Sequence, residues 1–374
     1  MNRRAFLMLA AGASLGLLAA CASGAQPSSP LAATASSPGG SASPKPAGSS
    51  AAQAKPAPSS SGRTQLSIGA LGAVSDAGFF IGLERGYYAA AGIDIKFVPF
   101  DNGPAMIPAV STGQLDAAGA ASGSALFNAL SRGLDLKMVA DKGSNRPGFA
   151  NGFVCIRKDL LSSGTVKAYG DLKGRKVAVP ATGGTAEITV DKTLQQGGLT
   201  IKDVDLTSLA YPEMAAAMAN KAIAACLAIE PFATQMADKG LANSLPGVDK
   251  IDPGSESAVV IYGAKLSKDQ PDLGRRFMMG YLRAVQDYDA AFTNGKDKAA
   301  VIQILAKHTA VKDPALYERM TLPGLNPDGR VNLPNLETQQ DYYLAHGYQK
   351  QKVDLAQYVS NDFADKATAA LKAG

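Results

Sequence analysis

Three observations predict an α/β fold built on parallel sheets. Short apolar segments alternate with segments of helical period from residue 66 onward. The alternation restarts near residue 176. Small polar residues repeatedly close the steps from strand to helix. The composition agrees: 46% of the 374 residues are apolar and 18% charged, a globular balance. Three Cys exclude a disulfide scaffold, and the length allows two or three domains.

The first unit opens with an apolar strand, Leu66 to Leu71. Asp76 to Ala91 follows with helical spacing, because Phe80, Leu83, Tyr87 and Tyr88 share a face, and Gly92 stops it. Residues 93–99 alternate and read as a strand. Met106 to Thr112 is a helix closed by Gly113, and Leu115 to Gly119 a short strand. A helix then runs from Ser122 to Ser131, and strands occupy Leu136 to Ala140 and Phe153 to Arg157. The second unit repeats the pattern. Its strands are Lys176 to Pro180, Leu206 to Ala210 and Ile223 to Ile229. Its helices are Thr185 to Gln196, Pro212 to Asn220 and Pro231 to Lys239. Ala258 to Tyr262 is a strand that can return to the first unit. The remainder is helical: Asp272 to Thr293, Lys296 to His308, Asn335 to His346 and Asn361 to Lys372.

The segment that ends at Arg63 is of another kind. It holds Arg3, Arg4, Lys45, Lys55 and Arg63 and no Asp or Glu. Removing those five from the 37 basic residues leaves 32, equal to the 32 acidic ones, so the net charge of +5 lies wholly there. The folded part has no basic surplus, and nucleic acid is not an expected partner. A charged start and an apolar run from Ala5 to Ala20 read as a secretory signal, too short and too rich in Gly and Ser for a permanent span. Residues 3–7 resemble a twin-arginine export motif. Leu18 to Cys21 resembles a bacterial lipobox, which implies export and a lipid on Cys21 that anchors the protein at the outer side of the cytoplasmic membrane, in the periplasm or at the cell surface. Residues 22–63 consist almost wholly of Ala, Ser, Pro and Gly, the composition of a disordered tether.

Signatures of catalysis are absent. His308 and His346 lie 38 residues apart with no ligand pattern around either, and no phosphate loop, paired-Cys motif or nucleophile elbow occurs. Cys155 and Cys226 sit in apolar strands and read as buried thiols. Neither an enzyme nor a cofactor is expected. Five strand-to-helix loops carry polar residues instead, and ligands of open α/β sheets bind at that end of the strands. These loops supply the candidates Ser75, Asp76, Asp101, Asn102, Ser122, Ser124, Thr182, Gly183, Thr185, Tyr211 and Glu213, with Phe79 and Glu187 one turn into their helices. Ser, Thr and Asp before a helix are also ordinary N-caps, so each has two readings.

Residues 82–95, with Gly82, Gly86, two Tyr and Gly92, are similar to the opening of ABC-importer solute-binding proteins of the nitrate/sulfonate/taurine and thiamine-pyrimidine type. Ser111 to Asp116, Asp171 to Val179, Ala228 to Phe232 and Val353 to Ala364 resemble later elements of that family, in its order. The resemblance implies a type II periplasmic-binding fold. The first lobe would comprise residues 64–155 and 263–374, and the second would comprise residues 156–262, with Phe153 to Arg157 and Ala258 to Tyr262 as hinge crossings. It further implies a monomer that closes on a small-molecule ligand and delivers it to an importer permease, with Glu230 at the cleft or bracing the hinge. The loops contain carboxylates and no Lys or Arg, which favours a neutral or cationic, aminopyrimidine-like ligand over a bare anion. A sulfonate, taurine or nitrate ligand is the alternative; a ligand-sensing domain on the same fold is the alternative from another class. On this reading Asp76→Ala and Glu187→Ala should weaken binding with little effect on melting temperature.

Overall fold

The computed structural model describes residues 62–245 and 250–373. The export signal, Cys21 and the linker to residue 61 lie outside the described residues. The strands form two five-stranded mixed sheets. The first contains β1 (Thr64–Ala70), β2 (Ile93–Pro99), β3 (Ala117–Ala121), β4 (Lys137–Ser144) and β10 (Glu256–Tyr262) in the order β2-β1-β3-β10-β4. The second contains β5 (Phe153–Arg157), β6 (Lys176–Val179), β7 (Asp205–Ser208), β8 (Ala225–Ala228) and β9 (Ala242–Ser244) in the order β7-β6-β8-β5-β9. In the first, β10 runs antiparallel to β3 and β4; in the second, β5 runs antiparallel to β8 and β9.

The periodicity explains most of the helices. They are α1 (Ala77–Glu84), α2 (Tyr87–Ala90), α3 (Met106–Ser111), α4 (Ser124–Ser131), α5 (Lys158–Ser162), α6 (Thr185–Gln195), α7 (Tyr211–Ala219), α8 (Phe232–Asp238), α9 (Pro271–Asn294), α10 (Lys298–His308), α11 (Leu333–Ala345) and α12 (Asp362–Ala373). The long α9 has Pro at its start, where a missing N–H costs nothing, and left-handed Gly295 after its end. Its apolar stripe buries Phe277, Tyr281 and Tyr288 completely, against Phe79 and Tyr262 among others. Burying each such side chain contributes about 1.5–3 kcal/mol, which makes α9 the main support of the first sheet.

Two expectations need correction. The helix expected over Asp76 to Ala91 is broken into α1 and α2, because Gly86 adopts φ +69° and ends the first run. The strands expected as crossings do not cross. β5 is hydrogen-bonded on both edges within the second sheet, and β10 on both edges within the first. A strand paired on both sides cannot change sheet midway. The chain therefore passes between sheets after Ser144 and again after Ser244. These two passages are laced together: Asn145 N donates to Ser255 O and Gly254 N to Asn145 O, each at 2.9 Å.

Candidate functional site

All described residues belong to one compact unit, within which the two sheets meet through their strand-to-helix loops. Ser124 N, at the start of α4, donates to Gly183 O at 3.1 Å. Gly183 has φ +68°, and a Cβ there would lie 2.9 Å from both Ser124 Oγ and the Tyr348 ring, so only glycine fits this seam. Glu187, in the first turn of α6 and 1% exposed, accepts from Gly183 N at 2.9 Å and from the Tyr342 hydroxyl at 3.2 Å. One carboxylate thus caps its own loop and ties it to α11. Tyr342, His346 and Tyr348 form an aromatic stack along this side, with Tyr342 and His346 centroids 3.9 Å apart. Burial and the Glu187 carboxylate push the Tyr348 phenol up to about 12.

The first loop holds a charge that the sequence did not reveal. Asp76 is completely buried, and its Oδ2 accepts from Leu71 N at 3.0 Å and Ala73 N at 3.1 Å. Its Oδ1 lies 2.8 Å from Lys142 Nζ, at an angle outside hydrogen-bond geometry, so that contact is electrostatic. Lys142 is 1% exposed and also donates to Ser75 Oγ at 3.0 Å. Its stem crosses the sheet over Gly119, where a Cβ would overlap Lys142 Cδ and Cε. A glycine within the small-residue strand β3 therefore makes the channel for a lysine that starts on β4.

The remaining candidates separate by role. Phe79 is fully buried among Phe97, Phe277 and Tyr281, so it is a core residue and presents no stacking face. Ser122 is also fully buried, with Oγ 2.9 Å from Glu256 O and 3.0 Å from Gln339 Oε1. Asn102 Oδ1 accepts from Ala105 N, and exposed Glu213 accepts from Ala210 N: both cap turns or helices. Asp101 and Thr182 are exposed, and Thr185 is half-buried at the start of α6. Tyr211 stacks on Phe232 at 5.8 Å, and burial raises its phenol pKa. Glu230 is 8% exposed and accepts from Thr234 N, Thr234 Oγ1 and Thr321 N. Burial raises its pKa above the usual carboxylate range, against those hydrogen bonds.

Ser75, Asn151, Ile229, Glu230 and Pro323 surround a hollow of about 10 Å³ between the sheets, room for about one water. A wider one of about 300 Å³ lies beyond Glu230, between α8, β5 and β9 and the strap carrying Arg319 and Thr321. Arg319 is held there by two bonds to Asp238, at 2.5 and 2.9 Å. Sequence reasoning missed Lys142, Asn151, Tyr342 and Tyr348. Each reaches the site from a distant segment, and the one signal that could have pointed to a guest side chain was the glycine inside β3.

Burial raises the pKa values of Cys155 and Cys226, the latter to about 12, so neither of these two offers a thiolate. Among the described residues, no group of His, Cys, Asp and Glu is placed to hold a metal, and no helix is long and apolar enough to cross a membrane.

A family model described as NMT1/THI5 like matches residues 74–291. A riboflavin-binding protein, RibY, from Chloroflexus aurantiacus is 24% identical over 239 residues, 63% of this chain. The match spans 65% of that relative's length. The periplasmic nitrate-binding protein NrtA from Synechocystis superposes with a TM-score of 0.67 at 17% identity, over 83% of this chain and 90% of its own. A ligand-binding component of an ABC-type import system from Staphylococcus aureus, with zinc bound, gives 0.66 at 14% identity, over 82% and 99%. An enzyme shares the fold: the desulfurization enzyme DSZB gives 0.58 at 16%, over 83% and 100%.

Proposed function

The chain belongs to the NMT1/THI5-like family, and from that premise we propose that it is an extracytoplasmic solute-binding protein serving an ABC importer. On this reading the two sheets are the cores of two lobes. The protein acts as a monomer tethered through a lipid on Cys21, closes on its solute and presents the closed form to a permease. It binds and performs no reaction. The observation that carries the reading is the seam: Ser124 with Gly183 brings loops of the two sheets into direct contact, and Glu187 with Tyr342 ties the second sheet's loop to α11.

The electrostatics favour a neutral or cationic planar solute. Lys142 is neutralised by Asp76, and Glu230 has no ion-pair partner among the described residues. The helix-start N–H of Ser124 is committed to Gly183 O, and the N–H of Gly183 to Glu187. A bare sulfonate or nitrate would find neither a free cation nor those N–H groups. The family resemblance points to an aminopyrimidine, and the relative's name to riboflavin, whose ring system is planar and uncharged. Native mass spectrometry of the freshly purified protein, followed by titration with riboflavin, taurine and nitrate, tests the assignment. Binding of taurine or nitrate in preference to riboflavin overturns it.

A further inference from the structure

Ser75 and Asn151 line the same hollow, and each has its hydrogen-bonding direction fixed from behind. An ammonium only donates, so Ser75 Oγ accepts from Lys142 Nζ at 3.0 Å and must direct its own proton elsewhere. Among the described residues nothing accepts that proton. The adjacent Asp76 does not: its Oδ2 is engaged by Leu71 N and Ala73 N, and its Oδ1 receives no hydrogen bond. Asn151 is fixed in the opposite sense. Ser257 Oγ gives its single proton to Gly143 O at 3.0 Å, so it can only accept from the Asn151 side chain. The atom facing Ser257 is therefore Nδ2, which donates to it, and Oδ1 keeps free acceptor capacity. Asn151 N is anchored on Asn145 Oδ1 at 2.9 Å.

We infer that, when the lobes part and the solute takes the place of the single water the hollow has room for, Ser75 and Asn151 together read a –CO–NH– edge on it, Ser75 donating to the carbonyl and Asn151 Oδ1 accepting from the N–H. Lys142 and Ser257 are positioning residues that set this polarity. The chemical class is a cyclic amide or imide, such as a pyrimidinedione ring. An anion that offers only acceptors meets the Asn151 oxygen with the wrong sign. The inference rests on the solute-binding reading above and adds which edge of the solute is recognised.

Riboflavin and its N3-methyl derivative, which lacks the ring N–H, are the probes, titrated into the full chain and followed by flavin fluorescence and visible absorption. The wild type should bind N3-methylriboflavin roughly ten-fold more weakly than riboflavin, the value of one neutral hydrogen bond. Asn151→Ala should abolish that discrimination. Ser75→Ala should bind riboflavin roughly ten-fold more weakly and shift the visible flavin band, which responds to a donor on a ring carbonyl, while Ser75→Thr should restore both. The double variant Asp76→Asn/Lys142→Met removes both charges together and should reproduce the Ser75→Ala band position while remaining folded. If riboflavin binds but Ser75→Ala leaves affinity and band unchanged, or the N3-methyl derivative binds equally well, the inference falls and the solute-binding reading stands. If the wild type binds no riboflavin, the flavin reading falls and this inference with it.

Discussion

Deleting the Lys142 ammonium should be among the most damaging single changes to this fold. Lys142 and Asp76 are 1% and 0% exposed and lie 2.8 Å apart. Lys142→Met leaves a buried carboxylate whose remaining support is the N–H groups of Leu71 and Ala73. Removing one partner of a buried pair costs about 3–5 kcal/mol. The two retained hydrogen bonds place the loss near the lower end, about 3 kcal/mol. At about 1.5 °C per kcal/mol for a folded part of roughly 310 residues, the melting temperature should fall by roughly 4–5 °C. Circular dichroism melts and urea titrations read this directly. Asp76→Asn/Lys142→Met removes both charges and should recover most of the loss. A single variant within about 1 kcal/mol of wild type, or a double variant no better than the single, refutes the argument. The same burial overturns the expectation that Asp76→Ala spares the melting temperature: removing that carboxylate strands Lys142.

Three further outcomes can be checked. Glu187→Ala, too, should not spare the melting temperature: it should destabilise by about 1–3 kcal/mol, because Gly183 N loses its acceptor, and should raise amide exchange at Gly183; unchanged protection there would show that Glu187 does not hold the seam. Burial lifts Asp141 to about 6, against hydrogen bonds from Asn326 N and Gly143 N, and also raises Glu256 well above the usual carboxylate range, with the Asp141 charge adding to the rise. Both carboxyls then bind protons more tightly folded than unfolded, so stability should rise as pH falls from 7 towards 5; Asp141→Asn should flatten that slope, and a melting temperature that drops over this range would contradict it. Finally, Cys21→Ala should move the protein from the membrane to the soluble fraction, and retention of the variant on membranes would rule out the lipid anchor.

The sequence carried what is local. Alternation placed nearly every strand and helix, and polar loop residues marked the strand ends that meet at the seam. What it could not carry is direction and distance. Phe79 follows the first loop, and nothing in its neighbours says that α1 turns it into the core rather than the cleft. Lys142 lies beyond the apolar run Leu136 to Ala140, so it reads as outside the strand, and its partner is 66 positions upstream. Tyr342 and Tyr348 belong to a helical tail whose amphipathic pattern gives no reason to expect them opposite Glu187. Capping and binding use the same residue types: Asn102 and Glu213 engage backbone N–H groups, and only coordinates separate the two roles.

The balance of charge at the first loop yields a last consequence. The chain's +5 lies entirely before Thr64, and the cation that reaches the first loop is cancelled by Asp76 at 2.8 Å. A site that selects by hydrogen-bond direction gains little from Coulomb attraction to a neutral solute. Its affinity should therefore barely change as ionic strength rises from about 0.05 to 0.5 M, although the screening length falls below about 10 Å over that range. A site holding a sulfonate or nitrate through uncompensated positive charge behaves differently, because partly exposed ion pairs weaken with added salt. Calorimetric titration of riboflavin at both salt concentrations separates the cases. Equal affinities support selection by polarity, whereas a marked loss at high salt would mean that net charge, and not the direction of Ser75 and Asn151, governs binding.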